Sequence, residues 1–358
     1  MTPTDELIEA IRKRPGMYVG NIPDGSGLQQ LIWELVANSL DQHLAGRCSR
    51  IDVTLSEQGE IVVADDGPGI PLWDECGQPF AEIALTQAHS SATFDGHRPH
   101  EHWGLILRGL GLFPVNVLCE RLTLESFRDG YHYRQQFGRG RSLSSPEVLG
   151  VASHTGTSVA LVPDPVIFGD AWIDAGRIAL RLRELACLCP GLRLSLNDRR
   201  AQVFHEPRGL VALLERMRRG IRPISPTVVM DETVGDVRVE AALEWLPVPW
   251  TCVESYANVA RTTDGGTHVD GLLNGVALAF KSSSPGVKAK PRKQVRDLIK
   301  RGLSAVVCVR LNTPTYGEPT RSRLATPAVA KAVSLVVRRA LPSRLQSEQA
   351  LVERLLSA

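Results

Sequence analysis

The chain has 358 residues and a mass of 39.1 kDa, which is long enough for two domains that each bury a core. Charged residues make up 22% and apolar residues 43%, a balance typical of globular rather than disordered proteins. The 41 Lys and Arg residues nearly balance the 39 Asp and Glu residues, and the net charge of +2 excludes a polycation that coats nucleic acid by overall charge.

The cysteines and the apolar residues indicate the cellular compartment of the protein. Seven cysteines are present, and their spacing does not match a zinc site, so we expect reduced thiols in a cytoplasmic protein. No stretch of about 18 apolar residues occurs, and the N-terminal residues lack an apolar signal core. We therefore expect neither a membrane span nor secretion.

The predicted elements of the first half mix helices and strands without strict alternation. A helix is predicted over 27–45, because its apolar residues recur at helical spacing. Two strands around Asp129 and Gly130 are predicted to form a hairpin. The other predicted elements are strands at 51–55, 60–64, 157–162 and 192–197, a long polar loop over 75–101, and a helix over 172–188.

The composition changes near residue 220, where a segment rich in Arg, Gly and Pro occupies 217–226. We place a domain boundary there, which gives domains 1–220 and 221–358. The second domain is predicted to contain strands at 238–245, 252–258 and 305–311, a helix after Gly266, and a final helix from about 326 onward. Both halves are predicted to be α+β.

Two segments carry carboxylates in arrangements that can bind a ligand. Glu34, Asn38 and Asp41 are four and three residues apart, so they share one stripe of the first predicted helix. Asp65 and Asp66 follow a strand and precede a Gly-Pro-Gly turn, which would aim a carboxylate outward. Each pattern alone also fits a solvated helix face or an ordinary turn, and both interpretations stay open at this point.

Glycines precede another predicted helix. Gly104, Gly109 and Gly111 lead into it, and Pro114 suits its first turn. Glycines at such a position let backbone N–H groups approach phosphate oxygens, and the helix dipole favours the negative charge. The segment 154–157, with the sequence His-Thr-Gly-Thr, opens a strand where a hydroxyl could meet a ligand.

The order of these segments resembles the ATPase region of the type IIA topoisomerase B subunits, the family of gyrase B and its topoisomerase IV relative. Eight segments match in the family's order and span nearly the whole chain: 12–20, 33–41, 65–71, 154–159, 181–186, 189–192, 264–268 and 316–324. The resemblance implies a GHKL (Bergerat) ATP-binding α/β sandwich followed by a smaller α+β transducer domain.

The resemblance also implies a role for each matching residue. Glu34 would be the general base for the attacking water, and Asn38 would hold Mg²⁺ through its amide oxygen. Asp65 would accept a hydrogen bond from the adenine amino group. Gly69 would let the chain turn beneath the base, and Thr157 would support the Asp65 carboxylate or a bridging water. The other implied nucleotide contacts are Arg108, Gly109, Leu110, Gly111 and Arg321. We therefore expect an ATPase that uses ATP and Mg²⁺.

Several positions depart from the family's pattern. Leu105 and Ile106 stand where the phosphate loop usually has glycines, and Arg108 stands where a histidine is usual. Pro68 and Gln42 replace an Arg–Glu pair that usually flanks the adenine site. The remaining departures are Ala37 in place of an acidic residue, and Pro319, Thr320 and Arg321 in place of Gln, Thr and Lys.

The ends of the chain and one basic segment bear on its partners. Only eleven residues precede Arg12 and none is Tyr, which argues against the family's exchange of N-terminal arms but leaves a homodimer open. No counterpart of the family's DNA-cleavage domain is present, so we expect a topoisomerase cleavage subunit as partner.

Between Lys281 and Arg301, Asp297 is the only acidic residue among many basic ones. That segment is either a solvated loop or a contact for duplex DNA.

Two functions remain open from the sequence. The retained Glu34, Asn38 and Asp65 favour a working ATPase that couples ATP to a change in DNA topology together with partner subunits. The altered phosphate loop and the short N-terminal segment favour instead a degenerate nucleotide-binding or non-catalytic module that regulates a topoisomerase partner. ATP turnover by the purified chain tests the first function, and calorimetry with a non-hydrolysable ATP analogue distinguishes the second from it.

Overall fold

The computed structural model describes residues 2–73, 77, 79–88, 111–283, 287, 291–318 and 320–347, and it separates into two compact units, 1–206 and 207–358. This division precedes the boundary predicted at 220. The helix Leu210–Met217 packs on strands of the second unit, so the Arg- and Pro-rich segment at 217–226 lies inside that unit. Among the described residues, no helix is both long and apolar enough to cross a membrane. Six of the seven cysteines lie in the described part of the chain, and all six are free thiols.

The first unit is a mixed α+β structure. Its helices are α1 (Pro3–Lys13), α2 (Gly16–Val19), α3 (Ser26–Leu44), α4 (Phe80–Thr86), α5 (Phe113–Val117), α6 (Pro165–Phe168) and α7 (Ala175–Leu188). Its strands are β1 (Arg50–Leu55), β2 (Ile61–Asp65), β3 (Cys119–Arg128), β4 (Tyr131–Gly138), β5 (Arg141–Ser142), β6 (Glu147–Val151), β7 (Gly156–Pro163), β8 (Arg193–Asn197) and β9 (Ala201–Phe204).

These strands form one sheet in the order β5-β4-β3-β7-β2-β1-β8-β9, with β6 also paired to β4. The pairing of β1 with β8 is parallel, and the other pairings are antiparallel. Side chains alternate along a strand, so Ile61, Val63 and Asp65 point to the same, buried face of β2. The helix α3 packs against β1, β2 and β7, and Asp65 therefore ends its strand beneath a helix.

The helix α3 confirms the prediction over 27–45, and its start has a local cause. Asp24 Oδ1 accepts a hydrogen bond from the Ser26 N–H at 2.9 Å, which satisfies one of the free donors at the helix start. Gly25 has a φ of 75°, and a Cβ there would lie 2.0 Å from the Trp172 carbonyl oxygen. Only glycine fits that position.

The hairpin predicted around residues 129 and 130 is confirmed, and the long loop predicted over 75–101 is partly wrong. Asp129 and Gly130 have φ angles of 54° and 82°, the left-handed pair that a tight hairpin turn needs. Within the predicted loop, α4 buries Phe80, Ala81 and Leu85, a short helical stripe that the surrounding polar residues obscured. Residues 89–110, which include the rest of the predicted loop and most of the glycine-containing segment after it, lie outside the described residues.

The second unit is also α+β, as predicted. Its strands are β10 (Val228–Val234), β11 (Val237–Trp245), β12 (Cys252–Ala257), β13 (Ala260–Arg261) and β14 (Leu303–Arg310), in the order β10-β11-β14-β12-β13. Its helices are α8 (Leu210–Met217), α9 (Thr267–Ser283), α10 (Arg292–Lys300) and α11 (Pro327–Ser347). The central strand β14 is buried from Leu303 to Val309, and α9 packs along α11 above the core.

Candidate functional site

The carboxylate of Asp65 lies at the buried end of β2 and accepts three hydrogen bonds. Ser39 Oγ donates to Oδ2 at 2.6 Å, and the backbone N–H groups of Gly67 and Thr157 donate to Oδ1 at 2.9 and 3.3 Å. Burial raises the pKa of Asp65, and these hydrogen bonds oppose the shift. Each carboxylate oxygen has two lone pairs, so Oδ2 can accept one further N–H from a ligand.

The neighbouring Asp66 has a different task. Its carboxylate accepts the backbone N–H groups of Ser49 and Arg50 at 2.7 and 2.8 Å and the Ser49 hydroxyl. Burial raises the pKa of Asp66, but these hydrogen bonds outweigh it and the pKa is lowered overall. Asp66 therefore ties β1 to the turn, and Asp65 is the acceptor left for a ligand.

The turn after Asp65 passes so close to β3 that it requires glycine. Gly69 has a φ of 79°, and a Cβ there would lie 2.7 Å from the Phe127 carbonyl oxygen and 2.9 Å from Ser126 Oγ. Ser126 Oγ donates to the Ile70 carbonyl at 2.6 Å, and Arg128 Nη1 donates to the Gly69 carbonyl at 3.0 Å. The turn is thus fixed against β3 by two side chains that the sequence did not single out.

Thr157 is hydrogen-bonded to Asp65, but the donor is its backbone N–H. Asp65 and Thr157 are directly paired between β2 and β7. The preceding Gly156 lets the strands meet, because a Cβ there would lie 2.3 Å from the Asp65 carbonyl oxygen. The hydrogen bond from Thr157 to Asp65 therefore does not depend on the threonine side chain.

The stripe of α3 that carries Glu34, Asn38 and Asp41 is not a solvated helix face. Asp41 is buried, and Glu34 and Asn38 are half-buried. Gln30, one turn before Glu34, donates from Nε2 to Glu34 Oε1 at 3.1 Å. The spacing of four residues could have revealed Gln30 as a partner of Glu34, since such residues are neighbours on a helix. Ser39, the residue after Asn38 on the same helix, donates the 2.6 Å hydrogen bond that connects α3 to Asp65.

Two positions that depart from the family pattern also lie here. Gln42 is buried, and its Oε1 has no hydrogen-bond partner within the described part of the chain. Its Cβ and Cγ lie 3.5 and 3.6 Å from where a Cβ of Gly67 would be, beside the Asp65 turn. Ala37 is buried in α3. The amide of Gln42 therefore offers a neutral acceptor next to the carboxylate of Asp65.

Among the described residues, no hydrogen bond joins the carboxylate of Asp65 to the other predicted contact residues. Gly111 has a φ of 68° and comes just before Leu112, the N-cap residue of α5, and the first turn of that helix contains Pro114 as predicted. Arg108, Gly109 and Leu110 lie outside the described residues, as do Gly104, Leu105 and Ile106. Arg321 belongs to the second unit, in the loop between β14 and α11.

The residues of α3 fit the binding of Mg²⁺ with a nucleotide. This ion prefers oxygen ligands and is usually held by one or two protein groups together with phosphates and waters. Asn38 offers an amide oxygen one turn from the carboxylate of Glu34. No side chain among the described residues hydrogen bonds to the Asn38 amide, which is half-buried. Asn38 is therefore suited to be such a protein ligand.

Two family models match the chain, one in each unit. The model described as Histidine kinase-, DNA gyrase B-, and HSP90-like ATPase matches residues 23–145, and the model described as DNA gyrase B matches residues 209–358. The first match includes Glu34, Asn38, Asp65 and Gly69, and the second includes Arg321.

Individual relatives agree with the family models. The DNA gyrase B protein of Thermotoga maritima is 33% identical over 366 residues, covering 98% of this chain and 57% of that protein. The DNA gyrase B protein of Borreliella burgdorferi is 34% identical over 342 residues, covering 92% of this chain and 53% of that protein. The chain thus spans about half the length of the curated relatives that it matches.

Solved structures match over almost the whole chain. The 43K ATPase domain of Thermus thermophilus gyrase B, in complex with an aminocoumarin, has a TM-score of 0.82 and 31% identity, covering 98% of this chain and 93% of that one. The topoisomerase IV ATP-binding domain of Francisella tularensis has a TM-score of 0.80 and 27% identity, covering 98% and 95%. The expected GHKL fold with a following transducer region is confirmed.

Proposed function

The chain belongs to the DNA gyrase B family, and we propose that it is an Mg·ATP-hydrolysing module whose nucleotide site is built around Asp65. The observation that carries the proposal is the buried carboxylate of Asp65, fixed by three donors and joined through Ser39 to the helix that bears Glu34 and Asn38. One helix and one strand end would together supply a base-recognition group, a general base and a metal ligand.

Asp65 would select adenine through its free acceptor capacity. The exocyclic amino group of adenine can donate to Oδ2, whereas guanine would present a carbonyl oxygen to a carboxylate and repel it. Because Gly69 has no side chain, the backbone of its turn would lie directly beneath the base. The unpartnered Oε1 of Gln42 adds a neutral acceptor at the same end of the site, as far as the described residues show. These features support adenine as the preferred base.

Glu34 would take the proton of the attacking water. Its Oε1 is held by Gln30 at 3.1 Å, which fixes the carboxylate on its helix and orients it. Asn38 would hold Mg²⁺ by its amide oxygen, and the ion when bound would neutralise charge on the phosphates. Gly109, Leu110 and Gly111, with Arg108, would supply phosphate contacts, and the family resemblance adds Arg321 as a cation.

We extend the proposal to partners that the family name suggests. The module would act on duplex DNA in the cytoplasm together with a topoisomerase cleavage subunit, and a homodimer is the expected active form. The cations between Lys281 and Arg301 would contact the DNA backbone. Coupling of ATP use to DNA topology is proposed here for the assembled complex.

The proposal is tested by ATP turnover of the purified chain with Glu34→Gln. Losing a general base should lower the turnover number by about 10²–10⁴-fold while binding of a non-hydrolysable ATP analogue persists. Glu9→Gln is the matched control, because Glu9 is an exposed carboxylate on α1. Equal turnover in wild type and Glu34→Gln would refute the assignment, and absence of Mg²⁺-dependent analogue binding would refute the nucleotide site.

A further inference from the structure

In the second unit, one aromatic side chain among the described residues is exposed to solvent. Trp250 is 57% exposed, whereas Trp245 and Tyr256 on the adjoining strands are buried. It lies in the loop 246–251, which connects β11 to β12. A single exposed apolar residue is common on protein surfaces. What distinguishes Trp250 is therefore its surroundings.

Hydrogen bonds hold this loop against the end of α10. The Leu246 N–H donates to the Gly302 carbonyl at 2.8 Å, and the Gly302 N–H donates to the Trp250 carbonyl at 3.1 Å. Thr251 Oγ1 donates to the Lys300 carbonyl at 2.6 Å. Prolines at 247 and 249 restrict the backbone further. Trp250 therefore lies beside the last residues of α10, on a loop whose backbone is fixed.

The Arg-rich segment at 217–226 reaches the same end of the sheet. The Ile224 N–H donates to the Trp245 carbonyl at 2.7 Å, just before the loop that carries the indole. Burial raises the pKa of Cys252, and the charge of Arg219 opposes that shift, as expected for a guanidinium near the start of β12. Arg219 and Arg222 are both exposed. Two cations therefore lie on the segment that adjoins the loop of the indole.

Positive charge exceeds negative charge around the indole. Lys300 lies in the last turn of α10, and the exposed Asp297 lies one turn earlier. Glu215 on α8 and Glu254 on β12 are already paired with arginines. Within the described part of the chain, no carboxylate pairs with Lys300 or with the two exposed arginines. The charge of these cations is therefore available to an anionic partner.

We propose that this surface, formed by Trp250, Lys300, Arg219 and Arg222, binds single-stranded DNA. The indole stacks on an unpaired base, and the cations contact the phosphates on either side of it. The flat face of the ring needs a flat partner, and the excess of positive charge needs a polyanion. A single strand offers both. The inference goes beyond the proposed function, because it requires neither the nucleotide site nor a duplex contact at 281–301.

A single strand fits this surface better than a duplex does. Stacking of a base on an aromatic side chain strengthens binding about 5- to 150-fold per base. Inserting the ring into a duplex first requires that paired bases be unstacked, and that cost offsets much of the gain. The bases of a single strand are accessible without it.

The first test measures binding of the full chain to a fluorescein-labelled oligothymidylate by fluorescence anisotropy. Trp250→Ala should weaken binding about 5- to 150-fold, whereas Trp250→Phe, which keeps a stacking face, should lose less. The matched control is Trp172→Ala, because Trp172 in the first unit is 64% exposed and should contribute nothing. Binding of the same oligonucleotide as a duplex should be unchanged in Trp250→Ala.

The second test removes the cations and stays valid if Trp250→Ala is unstable. Arg219→Gln and Arg222→Gln should each reduce the slope of log K against log salt by about 0.7, the value for one phosphate contact with a single strand. Arg338→Gln is the control, since it removes the same charge from an exposed position on α11. Equal slopes in all three variants would mean that net charge alone acts, which contradicts the proposed contacts.

Three further results would overturn the inference. One is that the wild-type chain does not bind the oligonucleotide, or that Trp250→Ala binds it no less tightly than Trp172→Ala does. Another is an equal loss of single-strand and duplex binding, which would make Trp250 a duplex contact. The third is Trp250-dependent binding to vesicles containing phosphatidylserine but not to the oligonucleotide, which would assign the surface to a lipid. ATP turnover without DNA should be the same in Trp250→Ala and wild type, so the proposed function is tested separately by Glu34→Gln.

Discussion

At the scale of single residues, the adjacent carboxylates Asp65 and Asp66 show how position decides function. Asp66 accepts two backbone N–H groups and a hydroxyl, and its pKa is lowered overall although burial opposes this. Asp65 has a raised pKa, because burial outweighs the three donors that it does have. A buried carboxylate with a raised pKa, such as Asp65, costs stability that a carboxylate with a lowered pKa does not.

We therefore expect Asp65→Asn to abolish nucleotide binding while raising the free energy of unfolding at neutral pH. The folded pKa of Asp65 lies above its ordinary value of 3.8, so the stability present at acid pH is lost as the pH rises through the folded pKa. An Asn amide is neutral there, can accept the Gly67 and Thr157 N–H groups, and can donate to Ser39.

Denaturant unfolding of both proteins at acid and at neutral pH checks this expectation, with analogue binding measured alongside. The stability gain of Asp65→Asn over wild type should be larger at neutral pH than at acid pH. A variant less stable than wild type at neutral pH would contradict the expectation and would mean that ionised Asp65 stabilises the fold.

At the scale of elements, the site depends on how closely β2 and β7 meet. Gly156→Ala would place a Cβ 2.3 Å from the Asp65 carbonyl oxygen, which forces the strands apart. Such overpacking typically costs about 1–3 kcal/mol, and here it would also lengthen the 3.3 Å bond from Thr157 to Asp65. We expect a lower midpoint of denaturant unfolding together with weaker analogue binding.

The matched control for this prediction is Gly150→Ala. Gly150 lies in the exposed strand β6, and a Cβ there would meet no atom within 4 Å among the described residues. Its unfolding midpoint and analogue binding should match those of wild type. Equal loss in both variants would indicate a general cost of removing glycine from a strand rather than the strand contact at Asp65.

Local signals in the sequence predicted much of the fold and less of the site. The helix α3 and the hairpin at Asp129 follow from apolar periodicity and turn chemistry, which act over a few residues. The short helix α4 was missed because it has a single buried stripe within a polar segment. The bonds from Ser39 to Asp65 and from Arg128 to Gly69 join residues far apart in the chain, so no local pattern indicates them.

At the scale of the whole molecule, the proposed contact with DNA would have to come from a local concentration of charge. The net charge of +2 gives no overall attraction to DNA, since 41 basic residues face 39 acidic ones. Between Lys281 and Arg301, the described helix α10 presents Lys293 to solvent, while Arg296 lies 4.0 Å from Asp270. Lys288 and Lys290 lie outside the described residues. Lys293 is thus a suitable cation for a direct test.

We expect Lys293→Gln to weaken binding of duplex DNA and to reduce its salt dependence. Each phosphate contact contributes about 0.9 to the slope of log K against log salt, because bound cations release counterions from the DNA. The control is Lys331→Gln, which removes the same charge from an exposed position on α11. If the two variants reduce affinity and slope equally, the effect is one of net charge, and 281–301 is a solvated segment rather than a DNA contact. If Lys293→Gln alone lowers the slope, the segment touches the DNA backbone.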